Sequence, residues 1–334
     1  MMANNNSSNS IFMVESVNSE AKMIKLYSII LYVIVIVTCV TFNSIVIITM
    51  LRNRDFRHTK NYFLLNIAIA DLLVGAICMT SNLLFEELHK TSTMNLVMCK
   101  AIPFLQGTTI TSSIYSFMGI AIERYIVLTK PYGSNIPKKH CITAMLAIWT
   151  FSFVTYSPKL VVNRVENYGG KDLCDEFGWT PEQSKNYVIA GLVLTYGIPV
   201  AVSSIAYGRA MNYLWHRKIP GSQDLPEEMQ KTMRKMLQRA KVCRRMLRIL
   251  MVFIMTHLPS TIVTILWYFG EDMKWKPPPY MWIIAFHAEI LRYANSSINP
   301  ILFFALDPSF RSALRLNIWK RAPRLNSMLA STSV

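Results

Sequence analysis

The sequence predicts an all-α membrane protein, a bundle of seven transmembrane helices followed by a short amphipathic eighth helix. Three observations carry that prediction. The 334 residues are 52% hydrophobic and only 16% charged, where a soluble chain carries about a quarter charged residues. Seven apolar stretches, at 26–51, 62–85, 101–128, 141–162, 187–215, 246–270 and 280–306, each reach the ~20 residues that a membrane-crossing helix needs. The net charge of +16 sits in short Lys and Arg clusters between them, the distribution of cytoplasmic loops rather than of a nucleic-acid surface.

Residues 1–25 are polar and rich in Asn and Ser, with no cleavable signal peptide and too few apolar side chains to fold alone. They read as a disordered extracellular tail, with the first apolar stretch acting as the membrane signal. Asn5 and Asn6 begin overlapping acceptor triplets for N-glycosylation, relevant if this end is outside. The connections then alternate in charge. Arg52, Arg54, Arg57 and Lys60, then Lys130, Lys138 and Lys139, then residues 217–245 form the basic set. Glu86 and Glu87, Asp172, Asp175 and Glu176, and Glu271 and Asp272 form the acidic or mixed set. The basic set belongs to the cytoplasm, which puts the N-terminus outside and the C-terminus inside a multi-pass membrane protein.

The third stretch organises the rest. Residues 101–122 hold no charged side chain, Cys99 stands at the outer end and Glu123-Arg124-Tyr125 at the inner end. Cys39, Cys78, Cys141 and Cys243 fall within helices or at their inner ends, where they read as small apolar residues. Cys99 and Cys174 face the oxidising side, and a bridge between them would pin the loop after the fourth stretch to the top of the third. The bundle is assigned to residues 26–306 and a cytoplasmic segment to 307–334. In that segment Phe310, Leu314, Leu316 and Trp319 lie among Arg and Lys, as in an amphipathic helix on the inner leaflet lipid. The terminal Ser331-Thr332-Ser333-Val334 suits a PDZ-domain groove by strand addition.

Together with seven spans in this orientation, a set of residues resembles the rhodopsin-like G-protein-coupled receptors. They are Asn43, Asp71, Cys99 with Glu123-Arg124-Tyr125, Trp149, Pro199 with Tyr207, Phe253 with Pro259, and Asn299-Pro300-Ile301-Leu302-Phe303. Cys99-Lys100 with Pro103-Phe104-Leu105-Gln106, and the acidic-aromatic loop Cys174-Asp175-Glu176-Phe177-Gly178-Trp179, are similar to the neuropeptide Y, orexin and RFamide peptide receptors. The resemblance implies a receptor without enzymatic chemistry, with an extracellular peptide ligand, a heterotrimeric G protein, and arrestin as a further partner. Gln106 replaces the aspartate of amine receptors, and the last stretch has no Lys for a Schiff base. Ligand contacts fall to Gln106, Asp175, Glu176, Trp179, His257, His287, Glu289 and Arg292. A cationic, amidated peptide suits the acidic loop, and a small acidic ligand held by Arg292 is the alternative. Coupling falls to Glu123, Arg124, Tyr125 and Tyr132. A snorkelling arginine anchoring the helix end is the plainer reading of Arg124, while the resemblance assigns it to G-protein contact. Residues 236–245 hold no acid, so restraint of Arg124 falls to Glu123.

Asp71, Ser113, Asn295, Ser296 and Asn299 match the family's mid-membrane polar core, and their hard ligands suit a sodium ion or a proton as well as a plain hydrogen-bonded node. Tyr207, Phe253, Pro259 and Phe303 complete the activation core. Three departures stand out: His257 where the family carries tryptophan, Phe303 where it carries tyrosine, and the charges Glu289 and Arg292. These two are three apart on one helix face and so can pair. With His257 they are expected to converge on the pocket floor beneath Gln106. A transporter or channel is the competing class, but no internal repeat is present, and the mid-span prolines Pro158, Pro199, Pro259 and Pro300 stand singly.

Overall fold

A computed structural model describes residues 5–53, 60–84, 96–129, 136–168, 171–216, 227–270, 272–278, 280–306 and 310–313. Seven long helices are present among them. They are α1 (Asn5–Arg52), α2 (Lys60–Leu73, prolonged by a π-helical turn at Val74–Met79 and by Thr80–Asn82), α3 (Leu96–Thr129) and α4 (Lys138–Tyr156, with a further turn at Lys159–Val162). After these come α5 (Pro181–Gly191, a π-helical segment at Leu192–Gly197, then Ile198–His216), α6 (Glu227–Phe269) and α7 (Met281–Leu306).

Two helices overrun the apolar stretches that seed them. Helix α1 begins at Asn5, so the backbone of the expected disordered tail is helical from that residue. Neither Pro nor Gly interrupts residues 5–52, and each residue added to a nucleated helix gains a backbone hydrogen bond at small cost. Helix α6 extends inward to Glu227 in the same way. The side chains of Asn5 and Asn6, all of Tyr132, most of the predicted amphipathic helix and the terminal Ser331-Thr332-Ser333-Val334 lie outside the described residues, although 310–313 are helical.

Five helices carry a window long and apolar enough to cross a membrane, at Leu26–Arg52, Asn61–Asn82, Lys138–Val162, Pro181–Tyr213 and Cys243–Phe269. Among the described residues, α3 and α7 carry no such window, because polar side chains interrupt their apolar runs. Thr108, Thr109, Ser112, Ser113 and Ser116 on α3, and Asn295, Ser296, Ser297 and Asn299 on α7, are all buried. Large apolar side chains such as Leu146, Val154 and Met255 instead face outward, each more than 60% exposed. That arrangement suits a hydrocarbon solvent and not water.

Polar bridges then fix the helix register. Asn66 on α2 donates to Ser112 (3.1 Å) and Ser116 (2.8 Å) on α3 and accepts from the Trp149 indole of α4 (2.8 Å). Asn43 on α1 donates to the Ser296 carbonyl of α7 at 2.9 Å. Glycines set the spacing around α3: a Cβ at Gly107 would sit 2.1 Å from the Tyr156 ring, and one at Gly119 would sit 2.6 Å from Phe63. Only a hydrogen fits where α4 and α2 approach this closely.

The loop after α4 is a hairpin of β1 (Arg164–Tyr168) and β2 (Lys171–Asp175), paired antiparallel with Val165 opposite Cys174. Cys174 is bonded to Cys99 at the head of α3, closing a separation of 75 residues, and Asn163 donates to the Cys99 carbonyl at 3.2 Å. The bridge is the one expected from the sequence. Cys174→Ser is expected to cost roughly 3–5 kcal/mol by the chain-entropy argument. Surface expression and thermal melting of the purified protein should fall together, and a variant that melts at the parental temperature would deny the bridge this role.

Candidate functional site

A cavity of about 650 Å³ opens at the disulfide end of the bundle, bounded by α3, α4, α5, α6, α7 and the segment after β2. Its floor is built from three helices. Gln106 Nε2 donates to Glu289 Oε1 at 3.2 Å, and Arg292 Nε donates to Glu289 Oε2 at 3.0 Å. Arg292 also pairs with Glu289 through its terminal nitrogen and lies over the Tyr293 ring at 5.2 Å. Tyr293 accepts in turn from Asn82 Nδ2 at 2.7 Å. The i, i+3 spacing on α7 brings the two charges onto one face, and each offsets the desolvation of the other.

The mouth carries a second ion pair. Lys159 reaches Glu176, which also accepts from the Tyr268 hydroxyl at 3.4 Å. Lys159 lies over the rings of Trp179 (5.7 Å) and Tyr187 (5.2 Å). Glu176 Oε2 is buried with no hydrogen-bond partner among the described residues. A buried carboxylate oxygen left unpaired carries a standing cost, and an incoming donor removes it.

Of the expected ligand contacts, Gln106, Glu176, Glu289 and Arg292 line the cavity. Four others are placed elsewhere. Asp175 is exposed and accepts from the Glu176 backbone N–H at 2.8 Å, so of the acidic loop only Glu176 points inward. Trp179 packs on Tyr187, ring centroids 4.6 Å apart, beside rather than in the cavity. His287 is exposed, donates to the Ile283 carbonyl at 2.8 Å and faces Tyr27 on α1. His257 lies a layer deeper. It donates to the Phe253 carbonyl at 3.0 Å and stacks on the Phe253 ring at 4.0 Å, so the expected convergence holds for the charged pair alone.

The sequence reading passed over Tyr156, Lys159, Tyr196 and Tyr268, which all line the cavity. A signal existed for Lys159, since a lysine within a membrane-length apolar stretch marks a functional position by default.

Beneath the cavity, Asp71 accepts from Ser113 (3.3 Å), Ser296 (3.0 Å) and Asn299 (2.8 Å). Asn295 accepts instead from Thr256 at 3.3 Å. A void of about 10 Å³, roughly one water, separates this cluster from His257, with Arg292 on its wall. A sodium ion there would meet a fixed guanidinium charge. Three donors already satisfy the carboxylate, so these residues fit a hydrogen-bonded node better than a resident cation.

At the opposite end of α3, Arg124 Nε stands 2.7 Å from Glu123 Oε2, with both side chains under 10% exposed. Tyr125 is half-buried against the core and Tyr207 is buried nearby. Phe253 packs on Phe117 of α3 at 5.8 Å, and α6 continues through Pro259. Phe303 is buried and stacks on Phe310 at 6.4 Å, taking up ring contact where a tyrosine would offer a hydroxyl.

Comparison with known proteins agrees with this geometry. The family model described as "7 transmembrane receptor (rhodopsin family)" matches residues 42–303. The RYamide receptor of Drosophila melanogaster is 24% identical over 311 residues, covering 91% of this chain and 65% of the relative. The Tachykinin-like peptides receptor 86C of the same organism is 27% identical over 279 residues, covering 80% and 54%. The chain thus spans less than two thirds of either relative's own length.

Proposed function

The chain belongs to the rhodopsin family of seven-transmembrane receptors, and on that footing we propose that it is a plasma-membrane receptor, N-terminus outside, for an extracellular peptide. The peptide is cationic or amidated, and its binding activates a heterotrimeric G protein at the face carrying Glu123, Arg124 and Tyr125. The names of the two relatives, receptors for RYamide and for tachykinin-like peptides, support a peptide ligand. The observation that carries the charge assignment is Glu176 at the cavity mouth, with one buried oxygen unpartnered. A guanidinium, ammonium or amide N–H supplies the missing donor, whereas Glu289 at the floor is already held by Arg292 and Gln106. Arg292 and Lys159 are each paired to a carboxylate, which weighs against an acidic ligand held by Arg292.

Arrestin belongs to the same reading, as does a PDZ protein at the C-terminal Ser331-Thr332-Ser333-Val334. Asp71 serves it as a hydrogen-bonded node linking α2, α3 and α7 rather than as a sodium site.

A peptide-library screen on cells expressing the chain with a promiscuous G protein tests the proposal. Basic and amidated peptides are expected to activate. Glu176→Gln should weaken the best of them about tenfold, or ~1.4 kcal/mol, with the penalty shrinking at high salt. Activation only by net-negative ligands, or substrate uptake into vesicles without nucleotide exchange, would overturn it.

A further inference from the structure

The cavity does not close on all sides. On α4 and α5 its wall includes Phe151, Val154, Ala190, Gly191 and Leu194. Val154 is at the same time 67% exposed on the outside of the bundle, and Ala190 is exposed as well. Residues that line a cavity and also face outward mark a place where the cavity reaches the surface. The two helices are bridged above this place by Tyr187 donating to the Thr155 carbonyl at 2.9 Å, and below it by Tyr156 and Thr195 at 3.4 Å. Between the bridges, a Cβ built on Gly191 meets nothing within 4 Å. The π-helical segment starts directly after it, held by Tyr115 donating to the Leu194 carbonyl at 2.7 Å.

What lies against this face follows from depth. Both helices carry membrane-length apolar windows there, Lys138–Val162 and Pro181–Tyr213. Lys159, Trp179 and Tyr187 form a cationic and aromatic cluster of the kind that sits at the lipid headgroup level. Gly191 and Leu194 lie four and seven residues further along α5 than Tyr187, about 6–10 Å deeper by helical rise, which is within the acyl chains. The window is bordered there by the apolar side chains of Val154, Ala190 and Leu194, which match a hydrocarbon.

We propose that the cavity opens sideways into the bilayer between α4 and α5, and that the hydrocarbon chain of a membrane lipid from the disulfide-side leaflet enters there. The lipid then occupies a second site, contiguous with the ligand cavity but reached from the membrane, whatever ligand fills the cavity from above. Its headgroup remains at the level of Lys159 and Tyr187, and its chain lies along the faces of Val154 and Gly191. Because the site shares a wall with the cavity, lipid composition modulates ligand affinity.

The test uses the purified full chain in nanodiscs of phosphatidylcholine bearing a photoactivatable acyl chain, without added ligand, so that its outcome does not depend on the peptide assignment. After illumination, label is expected to concentrate on residues 151–155 and 188–194. Gly191→Trp, which fills open space, should lower that labelling at least fivefold. Val193→Trp should leave it unchanged, because Val193 faces outward without lining the cavity. Ala190→Trp, entering from the outer face, serves where Gly191→Trp fails to fold and should have the same effect. Even labelling of all lipid-facing segments, indifferent to either blocking variant in protein that melts normally, would show annular lipid only and overturn the proposal.

Discussion

Arg124→Ala is expected to abolish stimulated nucleotide exchange on the G protein while leaving peptide affinity within about threefold, under ~0.7 kcal/mol. The two ends of α3 divide the work. Gln106 belongs to the cavity and Arg124 to the opposite face, about 27 Å apart by helical rise. Arg124 is held by its sequence neighbour Glu123 at 2.7 Å, and residues 236–245 at the base of α6 contain no acid to share it. Among the described residues Glu123 is the acid paired with Arg124, and Glu123→Gln should raise ligand-free exchange in membranes. Radioligand binding and nucleotide exchange, measured on the same membranes, separate the roles. Lost binding with unchanged exchange per bound ligand would place Arg124 in the structure of the cavity instead.

Glu289→Gln should be the most damaging single change at the cavity floor. It leaves Arg292 without its carboxylate, and a single amide oxygen to accept from both Gln106 and Arg292. Breaking a buried pair from one side costs about 3–5 kcal/mol, and the lower end applies because Glu289 keeps 29% of its side-chain surface exposed. Surface expression and thermal melting should both drop. Adding Arg292→Leu should recover most of the loss, because the double variant buries no unpaired charge. The coupling from the full double-mutant cycle isolates the pair. A double variant no more stable than the single would instead make Arg292 a direct contact for an anionic group of the ligand.

The charged floor was legible from Glu289 and Arg292 because their spacing is local: residues three apart on a helix share a face whatever surrounds them. The same holds for Glu123 and Arg124. His257 and His287 show where such reasoning stops. Each bonds to the carbonyl four residues back on its own helix, and the rotation of that helix against its neighbours sets whether the ring meets ligand, core or lipid. Phe303 follows the same rule, since its ring partner Phe310 lies beyond the end of α7.

The sequence by itself determined the helical spans and the cysteine pair, and the family resemblance added the polar core around Asp71. These rest on apolar length and residue types, which the bilayer constrains strongly because every backbone polar group must be satisfied within a helix. Tertiary structure alone decided that Lys159 crosses to Glu176, that Gln106 reaches Glu289, and that α4 and α5 leave a window at Gly191. It also decided that α3 and α7, whose apolar runs polar side chains interrupt, bury those side chains inside. These are relations between helices whose residues are far apart in the chain, and packing sets them. Gly107 against Tyr156 and Gly119 against Phe63 show how closely the helices approach, and one-dimensional periodicity carries no record of that distance.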